Sequence, residues 1–197
     1  MARPRAVDYD DKRNAILSAA AQAFAETGFD GASMNQIALS CGFSKALLYH
    51  YYANKEQLLF DVIEAHLQDL VAAVSAVPDT GNPEQRLVGL CTAILEAYRD
   101  ADAEHKVQIN NLGRLPADKQ DALKQMERQL VDVFAGAISA ANPDLARDPT
   151  RLKPVTMSLF GMLNWHYLWF RPDGPVSRQD YATIAARLIV AGSKALG

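Results

Sequence analysis

Residues 33–55 read SMNQIALSCGFSKALLYHYYANK, and three helix starts fall within this one stretch. Ser33, Ser44 and Asn54 are residue types favoured at helix N-caps, and glutamine follows Ser33 and Asn54 three positions later, as in a capping box. Between the first two starts, Gly42 can adopt the positive φ of a tight turn without steric cost. The stretch therefore predicts two short helices joined by a glycine turn, followed at once by a longer helix.

Two short helices joined in this way form a helix-turn-helix, whose second helix lies in the major groove of DNA. On that helix Leu48 and Tyr52 share the side that we expect to face a core. The opposite side carries a lysine, hydroxyls and an imidazole but no carboxylate, so it can approach phosphates without repulsion. Lys55 opens the next helix, where its ammonium and backbone N–H groups are expected to hold one phosphate. The predicted DNA contacts are Ser33, Ser44, Lys45, Ala46, Tyr49, His50, Tyr51 and Lys55.

The net charge of the chain does not by itself indicate a nucleic-acid partner. The 197 residues carry a formal net charge of -3. Residues 1–66 hold six lysines and arginines against eight aspartates and glutamates, which leaves a net charge of -2. No acidic residue lies between Ser33 and Lys55, so the local balance there is positive. The prediction of DNA binding therefore rests on where the basic residues lie and not on their number.

The rest of the chain is predicted to be helical as well. Hydrophobic residues make up 49% of the sequence, and alanine, leucine, glutamine and lysine fill long stretches without proline or glycine. An irregular tail at residues 1–9 precedes a first helix from about Asp10, which Gly28 ends as a left-handed cap. Residues 142–149 are expected to form a loop, and the very apolar helix after them is expected to run to Phe170.

These signals predict an all-α fold of about nine helices, of which three are short and six are longer. Residues 10–54 form the predicted helix-turn-helix DNA-binding domain, a head of three helices. Residues 55–197 form the predicted effector-binding and dimerisation domain. Its last helix is expected to begin after Ser177, which is placed to act as an N-cap.

Several other classes of protein are disfavoured by the sequence. Cys41 and Cys91 lie far apart in apolar helical contexts, which fits a reducing cytoplasm, and no signal peptide is indicated. The most apolar stretch, residues 155–170, is shorter than the roughly 20 residues that a membrane span needs. The four histidines lack the i, i+4 spacing of a metal pair, so we expect no metal and no cofactor. An all-α enzyme acting on CoA esters would need a nucleophile or base motif, and none is present.

Residues 16–67 resemble the DNA-binding head of the TetR family of repressors. The resemblance is carried by Ala23-Phe24, Gly28-Phe29, Ile37-Ala38, Cys41-Gly42, the run Ser44-Lys45-Ala46-Leu47-Leu48-Tyr49-His50-Tyr51-Tyr52 and the run Asn54-Lys55-Glu56-Gln57-Leu58-Leu59. It implies that Ser33, Lys45, Tyr49, Tyr51 and Lys55 contact the DNA backbone. It also implies that Lys45, Ala46 and His50 read bases. Two positions depart from the family pattern: Ala46 stands where glycine is common, and Tyr51-Tyr52 where His-Phe is frequent.

The last two helices are the predicted dimer interface, because helix-turn-helix heads usually act as two-fold dimers. Small residues allow close packing there, and Met162, Trp165 and Trp169 are expected on the preceding helix. The predicted interface residues are Trp169, Tyr181, Ala185, Leu188 and Gly192. The resemblance implies a four-helix bundle made from these two helices of each subunit.

Residues 161–174 carry a narrower resemblance, to TetR-family repressors that respond to acyl-CoA thioesters in fatty-acid, phenylacetate or steroid breakdown. This implies an acyl-CoA effector whose acyl part is buried in the helical body. The predicted effector contacts are Tyr98, Asn110, Asn111, Met126, Phe160, Asn164 and Trp165. Candidates for binding its phosphates are Arg99, Lys106 and Arg114. Trp165 and Trp169 can equally be core or interface residues, Tyr98 and Met126 ordinary core residues, and Asn164 and His166 hydrogen-bonding residues across a dimer.

The leading functional hypothesis is a ligand-controlled repressor. In it, two recognition helices of a homodimer, about 34 Å apart, bind a palindromic double-stranded operator. The effector selects a conformation of the body in which this spacing no longer fits. The alternative is a DNA-binding regulator or activator that needs no effector.

Overall fold

The computed structural model describes residues 4–79 and 81–195. Within these ranges the chain forms ten α-helices, two 3₁₀ turns and no strand, which confirms the all-α fold. The helices are α1 (Pro4–Gly31), α2 (Met34–Ser40), α3 (Lys45–Tyr51), α4 (Lys55–Ser75), α5 (Pro83–Ala97), α6 (Asp102–Asn111), α7 (Ala117–Ala141), α8 (Pro143–Ala146), α9 (Pro149–Asn164) and α10 (Arg178–Lys194). The 3₁₀ turns are Leu112–Arg114 and His166–Leu168.

The chain divides into two units, which are described separately. The first comprises Met1–Leu67 and Ala101–Lys124, and the second comprises Gln68–Asp100 and Gln125–Gly197. The first unit thus includes most of α4 as well as α6, in addition to the three helices of the predicted head. The domain boundary between residues 54 and 55 stays a prediction.

The core of the first unit is built around α1, which packs against α2 and α6, while α2 packs against α3. Ile16 and Phe24 of α1 are buried together with Ile37 of α2. Gly28 has a φ of 74°, so the helical backbone breaks there as predicted, but it resumes and ends at Gly31. The predicted irregular tail is wrong for residues 4–9, which are helical. The helix α1 begins at Pro4, and proline suits the first turn of a helix because its missing N–H is not needed there.

The second unit is centred on α5 and α10, and α10 also packs against α9. Leu87, Leu90 and Ile94 of α5 are fully buried. Ser177 and Asp180 form a capping box at the start of α10, which confirms the predicted start of this helix.

Two predicted boundaries in the second unit are wrong. The apolar helix α9 ends at Asn164 and not at Phe170, because the backbone of Trp165 leaves helical geometry and a 3₁₀ turn follows. The buried ring of His166 lies 4.2 Å from the ring of Phe170 and 5.5 Å from that of Tyr181, so packing holds this turn against α10. The predicted loop 142–149 contains the short helix α8.

Among the described helices, none combines the length and the apolar character that crossing a bilayer requires. Within residues 4–79 and 81–195, no three His, Cys, Asp or Glu side chains lie close enough together to hold a metal ion. Cys41 and Cys91 are free thiols, and burial raises the pKa of Cys91 to about 12.

Candidate nucleic-acid interface

The two short helices start at the residues predicted to cap them. The hydroxyl of Ser33 accepts a hydrogen bond from the backbone N–H of Gln36 at 3.2 Å and donates to the Gln36 side chain at 2.9 Å. The hydroxyl of Ser44 accepts from the backbone N–H of Leu47 at 3.1 Å. Each hydroxyl therefore satisfies a donor that the first turn of its helix leaves free. These caps fix where α2 and α3 begin.

The turn between α2 and α3 depends on Gly42, whose φ is 71°. The N–H of Gly42 donates to the carbonyl of Leu39 at 3.0 Å, and the N–H of Phe43 donates to the carbonyl of Ala38 at 2.9 Å. A side chain at Gly42 would be strained in this backbone region even though there is space for a Cβ. The helix-turn-helix predicted from residues 33–55 is therefore present.

The inner side of α3 is anchored in the core of the first unit. Leu48 and Tyr52 are 0% and 2% exposed, which confirms their predicted inward orientation. Arg13 forms an ion pair with Asp61 at 2.9 Å, and the phenol of Tyr52 lies beside this pair. Burial and the nearby Asp61 carboxylate raise the pKa of Tyr52, so its phenol stays protonated. This side of α3 is consequently committed to packing.

The outer side of α3 forms a surface that we call the recognition face: Lys45, Ala46, Tyr49 and His50. All four residues are exposed, and the ring of Tyr49 is 44% exposed. The Lys45 ammonium lies 5.8 Å from the centre of the Tyr49 ring, so cation and ring occupy one patch. Ser33 and Ser44 are exposed as well. The structure thus exposes six of the eight predicted DNA contacts on the helix-turn-helix.

Tyr51 has a partner that the sequence did not indicate. Its ring is half-buried and stacks on the ring of Tyr9, with centres 4.7 Å apart and planes 23° from parallel. Tyr9 belongs to the segment that was expected to be irregular, so no helical spacing pointed to this contact. The N-terminal turns of α1 therefore support the end of the recognition helix.

Lys55 differs most from its predicted role. Its ammonium donates to the carbonyl oxygens of Phe29 at 2.6 Å, Ala32 at 2.9 Å and Asp30 at 3.4 Å. It also lies 4.5 Å from the centre of the Phe29 ring. An ammonium has three donors, and here three acceptors engage them. The ammonium is therefore not open to a phosphate in this structure, which revises the prediction.

A polar network in the first unit also escaped the sequence analysis. Gln57 donates to Asp61 at 2.7 Å, on the carboxylate that Arg13 also contacts. Lys119 donates to the side-chain oxygen of Gln57 at 2.6 Å. The network joins α1, α4 and the start of α7 beneath the recognition helix. Its partners lie 48 and 62 positions apart in sequence, and no local pattern reveals such pairs.

Comparison with known proteins assigns the chain to a family. Residues 16–62 match the family described as "Bacterial regulatory proteins, tetR family". Residues 80–193, more than half of the chain, match the family described as "Tetracyclin repressor-like, C-terminal domain". The chain belongs to the TetR family. It is a transcriptional regulator with an N-terminal helix-turn-helix, in a family of DNA-binding proteins that are not enzymes.

Individual TetR-family relatives match nearly the whole chain. The HTH-type transcriptional repressor KstR2 of Mycobacterium tuberculosis is 28% identical over 192 residues, 93% of each chain. A TetR-family transcriptional regulator from Bordetella parapertussis superposes with a TM-score of 0.84 and 33% identity over 90% of this chain and 93% of that one. AibR, in a complex with isovaleryl coenzyme A and operator DNA, superposes with a TM-score of 0.73 and 27% identity over 90% and 97%. AibR fits the acyl-CoA subgroup that residues 161–174 resemble.

The predicted dimer interface of this TetR-family chain is only partly exposed. Trp169 and Leu188 are 50% and 59% exposed, and Gly192 is also at the surface. Ala185 is completely buried within its own protomer, which does not favour its predicted contact with a partner. Tyr181 is half-buried and donates a hydrogen bond to the carbonyl of Met162 at 3.1 Å.

Most of the exposed large apolar side chains described in the second unit lie on α9, α10 and the turn between them, and Val133 on α7 is the exception. We call this set the apolar face: Met157, Trp165, Leu168, Trp169, Ile184 and Leu188, which are 46% to 60% exposed. Ile184 and Leu188 lie one turn apart on the exposed side of α10, whereas Ala185 is buried. Contiguous exposed apolar patches on a protein of this size usually mark an interaction surface.

Two of the predicted effector residues, Tyr98 and Phe160, are buried in the second unit. Tyr98 is buried and donates a hydrogen bond to Asn164 Oδ1 at 2.9 Å. Phe160 is buried against Phe134, with ring centres 5.0 Å apart. Met126 is half-buried. The structure thus brings Tyr98 and Asn164 together, and their role as effector contacts stays a prediction.

Other predicted effector residues do not fit a buried pocket. Trp165 is 51% exposed and belongs to the apolar face, and its predicted contact with the effector stays a prediction. Asn110 is exposed and Asn111 is buried, and each amide donates to a carbonyl four residues earlier in α6. Both asparagines belong to the first unit. Their side chains therefore serve the helix that carries them.

Two of the three predicted phosphate-binding residues form ion pairs at the surface, and the third, Lys106, is exposed. Arg114 pairs with Asp30 at 3.0 Å, and Arg99 pairs with Glu96. Two surface grooves of the second unit, of about 420 and 500 Å³, include Arg187 and Arg86 respectively. Neither groove is lined by a predicted effector residue.

Proposed function

We propose that this protein is a transcriptional repressor that binds a palindromic operator as a homodimer and is released by an acyl-CoA thioester. The observation that carries the proposal is the recognition face, which presents a cation, a phenol and an imidazole on a capped helix with its other side buried. In this proposal α3 lies in the major groove, where Lys45 and His50 meet base edges and the Lys45 ammonium also pairs with a phosphate. Tyr49, Tyr51 and the hydroxyls of the two caps contact phosphates.

In a homodimer, the helix-turn-helix head of each subunit binds one half-site of the operator. Seven-residue helices reach few base pairs, so a single copy has little area for specific binding. The apolar face offers six large exposed side chains that a second copy of the same chain would cover. The proposed interface therefore uses Trp169 and Leu188 from the sequence analysis and replaces Ala185 with Ile184.

The proposed effector is an acyl-CoA. Two observations support it: the similarity to AibR, whose crystal structure contains isovaleryl coenzyme A, and the grouping of buried Tyr98 and Phe160 with half-buried Asn164 in the second unit. Such a set offers an apolar wall with a hydrogen-bonding pair, which suits an acyl chain with its thioester carbonyl. Binding of the acyl-CoA must favour the conformation that releases the operator by a few kcal/mol if it is to act as a switch.

The DNA-binding part is tested with an inverted repeat from the promoter next to the gene, used as a labelled duplex. Tyr49→Ala should weaken binding about tenfold, because it removes both the phenol and the ring beside Lys45. Tyr49→Phe is the matched control that separates hydroxyl from ring. The melting temperature should not change, since Tyr49 is exposed. Wild-type affinity in Tyr49→Ala and Lys45→Met together would contradict the assigned face.

The effector part is tested by thermal shift with free CoA and a series of acyl-CoAs of increasing chain length. Stabilisation that depends on the acyl group, together with release of the operator duplex, is the expected result. If no acyl-CoA raises the melting temperature while the operator still binds, the protein is a regulator without this effector. In vitro transcription from the same promoter then distinguishes repression from activation.

A further inference from the structure

The side chain of Lys55 closes a contact that brackets the whole helix-turn-helix. Ala32, whose carbonyl accepts one of its hydrogen bonds, comes directly before Ser33, the cap of α2. Lys55 comes directly after Asn54, whose side chain caps the start of α4. The two bonded residues are 23 positions apart, and α2, the glycine turn and α3 lie entirely between them. One side chain thus ties together the two ends of the DNA-reading unit.

The acceptors of this ammonium lie just after the break of α1 at Gly28. After the break, α1 makes one further turn and ends at Gly31, and the last carbonyls of a helix have no partner within it. Phe29 and Asp30 supply two of these carbonyls, and Ala32 supplies a third from the chain just beyond. A cation is favoured at this end of a helix, where carbonyl dipoles converge. The ring of Phe29 adds a cation–π contact at 4.5 Å.

We propose that Lys55 is a positioning residue for operator binding: it holds the start of α4 to the end of α1 and thereby sets the orientation of α3. This rests on the proposed DNA-binding function. Lys55 with the carbonyl groups of Phe29, Asp30 and Ala32 is called the Lys55 clasp. A phosphate could recruit this ammonium only by displacing carbonyl oxygens that already engage it. Lys55 therefore acts on DNA through the helices that it holds.

Lys45 offers a matched comparison within the same unit. It is exposed on the recognition face, and its ammonium lies over the Tyr49 ring without a carbonyl bond of this kind in the described contacts of residues 4–79 and 81–195. Both residues are lysines at the first position of a helix. The same substitution at the two sites therefore removes the same charge from two different environments.

The experiment compares Lys55→Met, Lys55→Arg and Lys45→Met with the wild-type chain. Operator affinity is measured at several salt concentrations, and the melting temperature is measured without DNA. The salt slope is the slope of the logarithm of operator affinity against the logarithm of salt concentration. Each phosphate contact that is lost reduces the magnitude of this slope by about 0.9, hence by about 1.8 for a dimer. Lys45→Met should reduce this magnitude. Lys55→Met should keep the wild-type slope while the affinity falls about tenfold or more, and its melting temperature should drop.

Lys55→Arg separates the two roles most sharply. Arginine binds phosphate at least as well as lysine does, but its planar fork cannot direct three donors at three converging carbonyls. Affinity should therefore fall in Lys55→Arg although the charge is kept. Unchanged affinity in Lys55→Arg with a reduced slope in Lys55→Met would make Lys55 a phosphate contact and overturn the proposal. A lower melting temperature with wild-type affinity, measured where the variant is fully folded, would also overturn it.

Failure of the proposed function gives a different result. If the wild-type chain binds no promoter duplex, the DNA-binding proposal fails before any variant is compared. The melting temperatures of Lys55→Met and Lys55→Arg still test the clasp itself, because they need no DNA. A melting temperature equal to that of the wild type in both variants would show that the clasp does not hold the unit.

Discussion

The phenol of Tyr98 donates a hydrogen bond to the side-chain oxygen of Asn164, 66 positions later in the sequence, at 2.9 Å. Tyr98 follows the last residue of α5, and Asn164 is the last residue of α9. Burial raises the pKa of Tyr98, so the phenol remains a donor throughout the neutral range. The bond therefore fixes the ends of two helices relative to each other in the interior of the second unit.

Tyr98→Phe removes this bond and keeps the ring. We expect the free energy of unfolding to fall by about 1 kcal/mol, the usual net contribution of such a bond. Urea titrations of Tyr98→Phe, Asn164→Ala and the double variant form a cycle that isolates the pair. Strictly additive effects would contradict the contact.

If the pair also lines the acyl-CoA site, Tyr98→Phe changes the acyl-CoA concentration needed to release DNA while operator affinity without effector stays at the wild-type value.

The stack of Tyr9 on Tyr51 gives a second prediction. Tyr9→Ala removes the ring that supports Tyr51 and should lower stability by about 0.5–1.5 kcal/mol, the range for aromatic pairs. Operator affinity should fall as well, because Tyr51 is then free to leave the position next to His50. Tyr9→Phe, which keeps a stacking ring, is the control and should bind like the wild type. Equal losses in both variants would mean that the Tyr9 hydroxyl matters and not the stack.

The parts of the fold that sequence predicted are those with local causes. A cap such as Ser33 or Ser44 acts on a backbone N–H three residues away, and Gly42 acts on its own φ. Such signals lie within a few positions of what they determine, so the helix-turn-helix could be placed from residues 33–55 alone. The buried side of α3 could be predicted for the same reason, because Leu48 and Tyr52 lie one helical turn apart and therefore on the same side.

The parts that sequence missed depend on which distant element covers a residue. Ala185 and Leu188 both look like interface residues on α10, but only Leu188 is exposed, because α5 and α9 already pack against this helix. Lys55 sits in a family pattern that implies a phosphate contact, yet its acceptors come from α1, more than 20 positions earlier. The end of α9 at Asn164 carries no glycine or proline signal, and the aromatic run after it continues the apolar pattern.

The apolar face provides a prediction about assembly. Leu188→Asp places a carboxylate among exposed apolar side chains that we expect a second copy to cover, and a buried unpaired charge is strongly unfavourable. Sedimentation should therefore show a monomer at concentrations where the wild-type chain is a dimer. Leu39→Asp is the matched control: Leu39 is 69% exposed on α2 of the first unit, and this variant should remain a dimer. A dimer in Leu188→Asp would move the interface away from this face.

His66 and His105 give the last prediction, which concerns pH. Both imidazoles are buried in the first unit, at 4% and 2% exposure, with ring centres 5.8 Å apart. Burial and the neighbouring His105 lower the pKa of His66 to about 3, whereas an unfolded histidine titrates near 6.5. Between these two values the unfolded state binds more protons than the folded state. The contribution of His66 to stability is therefore complete above about pH 6.5 and is lost as pH falls towards 3.

Replacing His66 with glutamine removes this titration and keeps a polar side chain. The free energy of unfolding, measured by urea titration from pH 7 to pH 4.5, should fall less steeply with acid in His66→Gln, by up to about 1.4 kcal/mol per pH unit. The same substitution at the exposed His50 is the control for the loss of one imidazole from the chain. Carboxylates titrate in all three chains, so the difference between profiles isolates the buried imidazole. Identical slopes in His66→Gln and the wild type would mean that His66 titrates in the folded protein much as it does in the unfolded chain.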